Sequence, residues 1–175
     1  PASECGLVGL KPSRGRVSTA PDVGESWMGA TIDGVVTRSV RDTAAVLDAI
    51  CGLEPGDPYT APPFVEPLAT LVGRDPGSLR IGVLDHPVMP GAEAHPECTA
   101  AVNETADLLA SLGHRVEVAW PGALESNEFT RRYTSIVGAC TAADLDSLER
   151  LLGRPVGEDD LEPDNLALAA LGRGV

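Results

Sequence analysis

The sequence has few aromatic residues, little methionine and a single lysine. Two Trp, two Tyr, two Phe and two Met are present, yet the hydrophobic fraction is 43%. Leu, Val, Ile and Ala must therefore fill the core, and 175 residues are typical of one domain. Because Lys11 is the only lysine, any lysine base within these residues would have to be Lys11.

Positive charge is also scarce. Thirteen Lys and Arg residues stand against 26 Asp and Glu residues, which gives a formal net charge of −13. Nucleic-acid binding depends on basic side chains that neutralise phosphates, so this balance argues against a nucleic-acid partner. No apolar run approaches the roughly 18 residues that a membrane span needs, and the acidic charge disfavours anionic lipid, so we expect no membrane partner.

Closely spaced cysteines are missing. The four cysteines, Cys5, Cys51, Cys98 and Cys140, lie more than 40 residues apart. This spacing fits neither a zinc knuckle nor a small disulfide scaffold. Reduced thiols are the default in the cytoplasm, so we expect a cytoplasmic protein without a structural metal.

The first part of the chain predicts one short strand and one helix. The apolar run at residues 7–10 predicts a short buried strand that leads into a turn at 12–15. Ser39 and Asp42 have the spacing of a capping box, and apolar residues follow at helical spacing. Gly52 is the predicted left-handed residue that ends this helix.

The second part predicts an α/β class. Residues 79–84 have the pattern of a strand, residues 96–112 that of a helix with proline in its first turn, and residues 114–118 that of a second strand. A strand–helix–strand unit of this kind favours an α/β fold. Residues 124–172 are predicted to be helical, with Pro163 at the start of the last helix.

Three polar clusters could carry chemistry, but none has the spacing of a known site. Ser26, within Gly-Glu-Ser-Trp-Met-Gly, is one residue away from a nucleophile elbow, and we interpret it as a loop serine. His86, Glu93, His95 and Glu97 match no metal motif and are better explained as helix-capping residues. The basic segment 11–16 lacks phosphate-loop spacing, and we expect its arginines to pair with local carboxylates.

The most specific motif lies at residues 1–18. Their sequence, Pro-Ala-Ser-Glu-Cys-Gly-Leu-Val-Gly-Leu-Lys-Pro-Ser-Arg-Gly-Arg-Val-Ser, resembles the end of the amidase signature, roughly Pro-Ala-x-x-Cys-Gly-x-x-Gly-Leu-Lys-Pro-Thr/Ser-x-Gly-Arg-Val-Ser. Residues 37–42, Thr-Arg-Ser-Val-Arg-Asp, resemble a second family segment, and 52–58 a third. Gly34-Val35 departs from the Gly-Pro of many members. Within the family, residues 9–17 resemble the subgroup that contains 6-aminohexanoate-cyclic-dimer hydrolase.

The resemblance implies part of the amidase-signature mixed β-sheet core flanked by helices, incomplete here. Residues 1–175 would be the central and C-terminal portion of a single amidase domain, truncated at both ends. The implied activity is hydrolysis of the C–N bond of a small-molecule amide through a serine acyl-enzyme, without a cofactor. The family's two serines and lysine precede the position of Pro1, so no catalytic residue is expected in this chain, and Lys11 is a scaffold position.

The resemblance also points to one substrate-binding candidate, Cys140. In the cyclic-dimer hydrolase subgroup, a cysteine at about this distance from the nucleophile contributes to the substrate pocket. The alternative is that Cys140 packs beside Ile136 and Val137, as buried cysteines usually do.

Two other functions stay open. An amidotransferase A subunit of the same family would need a glutaminase-coupled partner and tRNA. A non-catalytic α/β fragment would serve as a binding or oligomerisation module. We also consider a homodimer. Uncovered strand edges and apolar faces predict aggregation or poor folding of this chain by itself.

Overall fold

The computed structural model describes residues 1–21, 23–89 and 91–174. The chain divides into two compact units, Pro1–Arg74 and Asp75–Val175. The first unit contains β1 (Val8–Gly9), β2 (Val36–Thr37) and α1 (Val40–Ile50). The second unit contains β3 (Arg80–Val83), α2 (Pro96–Ser111), β4 (Arg115–Val118), α3 (Asn127–Leu152) and α4 (Pro163–Gly172).

Helix α1 begins where the capping pattern predicts. The backbone N–H of Asp42 donates to Oγ of Ser39 at 3.1 Å, which satisfies one of the free amides of the first turn. Thr43, Ala44 and Leu47 form the buried face of the helix, and Leu47 is only 2% exposed. Of the predicted apolar stripe, Ala44 and Leu47 are thus buried, whereas Val40 is 61% exposed.

The predicted end of α1 at Gly52 is wrong. The helix ends at Ile50, Cys51 is extended, and Gly52 lies outside the left-handed region. The reason is tertiary: Cys51 forms a β-bridge with Val17, and the N–H of Gly52 donates to Arg16 O at 3.2 Å. Hydrogen bonds to the segment around Val17 therefore replace the backbone hydrogen bonds that a left-handed C-terminal cap would have formed.

The predicted strand at residues 7–10 is shorter and less buried than expected. Only Val8 and Gly9 pair, antiparallel, with Thr37 and Val36. Leu10 is 50% exposed. Leu7 is 36% exposed as well, so the described residues do not cover both faces of this apolar run.

The strand–helix–strand prediction is confirmed. Strands β3 and β4 are parallel, with Ile81 opposite Val116, and α2 connects them. Pro96 lies in the first turn of α2, and Gly113 follows the helix with a φ of 92°. No residue of α2 is buried, however, and Leu112 is 64% exposed. The apolar stripe of α2 is thus largely uncovered within the described chain.

Helices α3 and α4 pack closely and bury the core of the second unit. Ala142, Leu145 and Ala169 form that core, and Ala169 is fully buried. Pro163 lies in the first turn of α4, as predicted. Among the described residues, no helix is both long enough and apolar enough to span a membrane.

Candidate functional site

Residues 1–18, the signature segment, form a compact turn around two small residues. A 3-10 turn, Ser3–Cys5, is followed by Gly6 with a φ of 63°, and the N–H of Leu7 donates to Ala2 O at 2.8 Å. A Cβ on Gly9 would lie 2.7 Å from the Cβ of Ala2, closer than two carbon atoms can approach. The motif therefore needs glycine at position 9 because the backbone passes directly over Ala2.

The ammonium group of Lys11 forms a hydrogen bond within this segment. Its Nζ donates to the carbonyl oxygen of the next residue, Pro12, at 2.6 Å. Its ammonium therefore binds the adjacent main chain in the turn that follows β1. This geometry is in keeping with the scaffold position that the resemblance implies.

Among the described residues, the arginines of the same turn contact aromatic rings and form no ion pair with the predicted carboxylates. The guanidinium of Arg14 lies 5.3 Å from the centre of the Tyr59 ring, and that of Arg16 lies 4.0 Å from the centre of the Phe64 ring. The reason is that a planar, weakly hydrated guanidinium stacks well on an aromatic face. Both rings belong to loop 52–67, and each is more than 40 residues away in sequence from the arginine that it contacts. The local sequence therefore does not predict these contacts.

Ser26 lies in a loop, as predicted, and not between a strand and a helix. It precedes a 3-10 turn, Trp27–Gly29, in which Trp27 and Met28 have φ values of 50° and 53°. Tyr59 Oη donates to Glu25 Oε1 at 2.8 Å beside this turn, and that hydrogen bond raises the pKa of Tyr59. The adjoining cavity measures ≈ 40 Å³, room for a few water molecules.

The two histidines of the predicted polar cluster, His86 and His95, have different roles in the structure. His95 caps α2 as predicted, because its Nδ1 accepts from the N–H of Glu97 at 3.3 Å. His86 instead lies between Asp85 and Glu125, whose carboxylate oxygens are 2.8 Å and 2.9 Å from its ring nitrogens. No group of three or more His, Cys, Asp or Glu residues among those described has the geometry of a metal site.

Cys140 lies on the face of α3 opposite α4. Gly138, Ala142 and Leu145 are buried where α3 packs against α4. At roughly 100° per residue, Cys140 falls about 140–160° from these positions around the helix. Its thiol is free and half-buried.

An aromatic pair continues the same face of α3 toward its N-terminus. Phe129, Tyr133, Ile136 and Cys140 fall within an arc of about 60° on an ideal helix. The rings of Phe129 and Tyr133 stack with centres 6.1 Å apart and an interplanar angle of 8°. These side chains are 68% and 44% exposed. We name the four residues the α3 stripe. The helical spacing of Tyr133, Ile136 and Cys140 predicts most of it, whereas Phe129 was missed, although its i, i+4 spacing from Tyr133 was a usable signal.

The fold and the signature segment define a class of protein. The family model described as Amidase matches residues 1–164. The chain therefore belongs to the amidase family. Its mixed helices and small sheets match the corresponding part of an amidase-signature structure.

Several relatives are similar over most of this chain. The 6-aminohexanoate-cyclic-dimer hydrolase of Paenarthrobacter ureafaciens is 45% identical over 164 residues, which is 93% of this chain and 33% of the relative. A putative amidase, AmiA2, of Mycobacterium bovis is 43% identical over 118 residues, 66% of this chain and 24% of that protein. The A subunit of the glutamyl-tRNA(Gln) amidotransferase of a Synechococcus strain is 33% identical over 173 residues, 90% of this chain and 35% of the relative.

A solved structure also matches this chain over its full length. The structure of 6-aminohexanoate cyclic dimer hydrolase superposes with a TM-score of 0.89 and 42% identity, covering 100% of this chain and 37% of that one. A second structure, of that hydrolase complexed with substrate, agrees equally well. The chain thus spans about a third of the length of the curated cyclic-dimer hydrolases that it matches.

Proposed function

We propose that the chain is part of an amide hydrolase that cleaves a carboxylic amide C–N bond other than a peptide bond. The observation that supports this most directly is the signature segment, whose glycine at position 9 is enforced by contact with Ala2. The similarity to cyclic-dimer hydrolases extends this support over 93% of the chain. The substrate class is a small-molecule amide.

The chemistry would be acyl transfer from the amide to a serine and then to water. A serine needs an adjacent base to become nucleophilic, and the family resemblance assigns that role to a second serine and a lysine. The resemblance places all three groups before Pro1, and Lys11, the one lysine of this sequence, donates to the carbonyl oxygen of Pro12 in a turn. Residues 1–175 would contribute the scaffold of the site and one wall of its pocket.

The α3 stripe is the proposed wall. Its two exposed aromatic rings and the half-buried Cys140 form a mostly apolar surface that the α3–α4 contact does not use. Such a surface suits a substrate that carries a run of methylene groups, because each buried methylene contributes about 0.8 kcal/mol. The cyclic dimer of 6-aminohexanoate, named in two relatives, has this character, and we propose aliphatic amides of that kind as substrates.

The test of the activity is hydrolysis by the intact protein that contains residues 1–175. We expect the cyclic dimer of 6-aminohexanoate to give one ring-opened product with a new amino and a new carboxyl group, and a linear aliphatic amide to give a separate amine and acid. We expect the activity to disappear when the nucleophilic serine, which the resemblance places before Pro1, is replaced by alanine. Unchanged hydrolysis in the serine variant would contradict the acyl-enzyme mechanism.

The role of Cys140 needs a separate measurement. If its thiol contacts the substrate, Cys140→Ala should raise KM several-fold and change kcat less, because a ground-state contact is lost. Cys98→Ala is the matched control, since Cys98 is exposed on α2, away from the α3 stripe. Identical KM values for the two variants would support the alternative in which Cys140 only packs beside Ile136 and Val137.

An amidotransferase A subunit is the second candidate. The observation in its favour is 33% identity over 90% of this chain with the Synechococcus protein. A net charge of −13 weighs against contact with tRNA. Transamidation of charged tRNA by the intact protein, dependent on glutamine and an added glutaminase partner, would favour this function over simple hydrolysis.

Two further properties are proposed for the intact protein. A cytoplasmic location is supported by four free cysteines, which a reducing compartment would maintain. Homodimer formation stays a prediction from the sequence. Cell fractionation and analytical ultracentrifugation, respectively, test the two.

A further inference from the structure

His86 joins two separate segments of the second unit through its two ring nitrogens. Nδ1 lies 2.8 Å from Oδ1 of Asp85, in the segment that follows β3. Nε2 lies 2.9 Å from Oε1 of Glu125, in the 3-10 turn Gly122–Glu125 that follows β4. Both partners of the ring are carboxylates, which accept hydrogen bonds and do not donate them when ionised.

The number of hydrogen bonds therefore depends on one proton. An imidazolium carries an N–H on both nitrogens and donates to Asp85 and Glu125 together. A neutral ring carries one N–H, so its other nitrogen presents a lone pair to a carboxylate oxygen. Deprotonation thus removes one hydrogen bond and replaces it with repulsion.

Neighbouring groups hold the acceptor of this contact in place. Trp120 Nε1 donates to the same oxygen of Glu125 at 2.9 Å, and the Trp120 ring meets His86 edge-on with ring centres 4.4 Å apart. Asp85 and Glu125 are the charged groups that act on His86 among the described residues. The exposed imidazole is therefore flanked by two carboxylates and one indole, and both carboxylates favour its protonation.

The contact lies directly before α3. Glu125 is followed by Ser126, whose Oγ accepts from the N–H of Glu128 at 3.3 Å and so caps that helix. A loss of the His86–Glu125 hydrogen bond would therefore act on the residue next to the cap of α3. The aromatic end of the α3 stripe begins only four residues beyond Glu125, at Phe129.

We propose that the contact of His86 with Asp85 and Glu125 is a proton-operated latch. With an imidazolium, it ties the segment after β3 to the start of α3 by two hydrogen bonds; with a neutral ring, one of the two is lost and the tie is weakened. The proposal goes beyond amide hydrolysis and does not depend on it, because the latch is defined by residues that the proposed chemistry does not use.

The pH range of the closed latch follows from the directions of the pKa shifts. The hydrogen bonds to Asp85 and Glu125 raise the pKa of His86 above its ordinary 6.5. The contact is therefore fully formed below that value and is lost as the pH rises through the raised pKa. The hydrogen bond from His86 lowers the pKa of both carboxyls, so the contact is also lost as the pH falls through those lowered values.

NMR titration of the intact protein tests the protonation step. The ring resonance of His86, assigned by its disappearance in His86→Gln, should titrate above pH 6.5, the ordinary value. Asp85→Asn and Glu125→Gln should each lower the midpoint, and the double variant should lower it furthest. A wild-type midpoint at or below the ordinary value, or one that the double variant leaves unchanged, would overturn the proposal.

Hydrogen exchange tests the release itself. Protection factors of the amides in residues 120–128 should fall several-fold as the pH passes the His86 midpoint. In His86→Gln they should not respond to that midpoint, whereas in the control His95→Gln, which alters only the cap of α2, the wild-type response should persist. Equal responses in His86→Gln and the wild-type protein would reject the latch, whether or not the protein hydrolyses amides.

Discussion

Gly138 on α3 and Gly172 on α4 are in direct backbone contact. A Cβ built on Gly138 would lie 3.0 Å from Leu168 O and 3.1 Å from Gly172 N. A Cβ on Gly172 would overlap the Gly138 carbonyl group. Both glycines are buried, so the two helices approach as closely here as their main chains allow.

This contact predicts that Gly172→Ala destabilises the second unit. The added methyl has no free space, and overpacking of this kind costs about 1–3 kcal/mol. Chemical denaturation should show a lower midpoint with an unchanged slope. Gly157→Ala is the matched control, since no atom lies within 4 Å of its added Cβ. Similar midpoints for the two variants would contradict the close packing.

The cap of α1 supports a second prediction. Ser39→Ala removes the acceptor of the 3.1 Å hydrogen bond from Asp42 N and should lower the free energy of unfolding by about 1 kcal/mol. Ser39→Asn keeps an acceptor at this position and should restore most of the loss. If thermal melting shows the Asn and Ala variants to be equally unstable, the cap does not contribute as proposed.

A third prediction concerns Asp160 in the loop between α3 and α4. Arg154 donates two hydrogen bonds to its carboxylate, at 2.7 Å and 2.8 Å, and these lower the pKa of Asp160 from 3.8 to about 2. Because this pKa is depressed, the pair stabilises the loop fully above 3.8 and loses its effect as the pH falls through about 2.

NMR titration of the side-chain carboxyl carbons measures this shift directly. In Arg154→Gln the Asp160 midpoint should rise toward 3.8, because the main cause of the shift is gone. Arg150→Gln is the control, since it removes a nearby positive charge that bonds to Asp146 O and Ser147 Oγ instead. Equal Asp160 midpoints in the two variants would show that the Arg154 pair is not the cause.

A fourth prediction rests on the proposed function and concerns the aromatic end of the α3 stripe. Tyr133→Ala should raise KM for an aliphatic amide several-fold, with a smaller change in kcat and little loss of stability. The reason is that Tyr133 is 44% exposed and lies away from the contact with α4. The kinetic constants and the melting temperature of the intact protein provide the measurement.

Leu151→Ala is the control for that prediction. Leu151 follows Tyr133 by about five full helical turns, so it lies on the same face but about 27 Å further along α3. It is 83% exposed, and its truncation should change neither KM nor stability appreciably. A KM effect of equal size in both variants would indicate a general disturbance of α3 and not a pocket wall.

Local patterns predicted the elements whose causes are local. The Ser39 cap, the proline starts of α2 and α4, and the parallel β3–α2–β4 unit all depend on residues close together in sequence. The end of α1 could not be predicted in the same way. Its position depends on the bridge between Cys51 and Val17, which are 34 residues apart in the sequence.

The sequence by itself determined the family, because residues 1–18 contain the family motif, with glycines whose backbone angles or close contacts leave no room for a side chain. Only the tertiary structure decided which polar groups meet. Arg14 and Arg16 lie over rings from a distant loop, and His86 lies between carboxylates that are one and 39 positions away. The physical reason is that side-chain pairing depends on where the folded backbone brings distant segments together, and helical or strand periodicity carries no information about that distance.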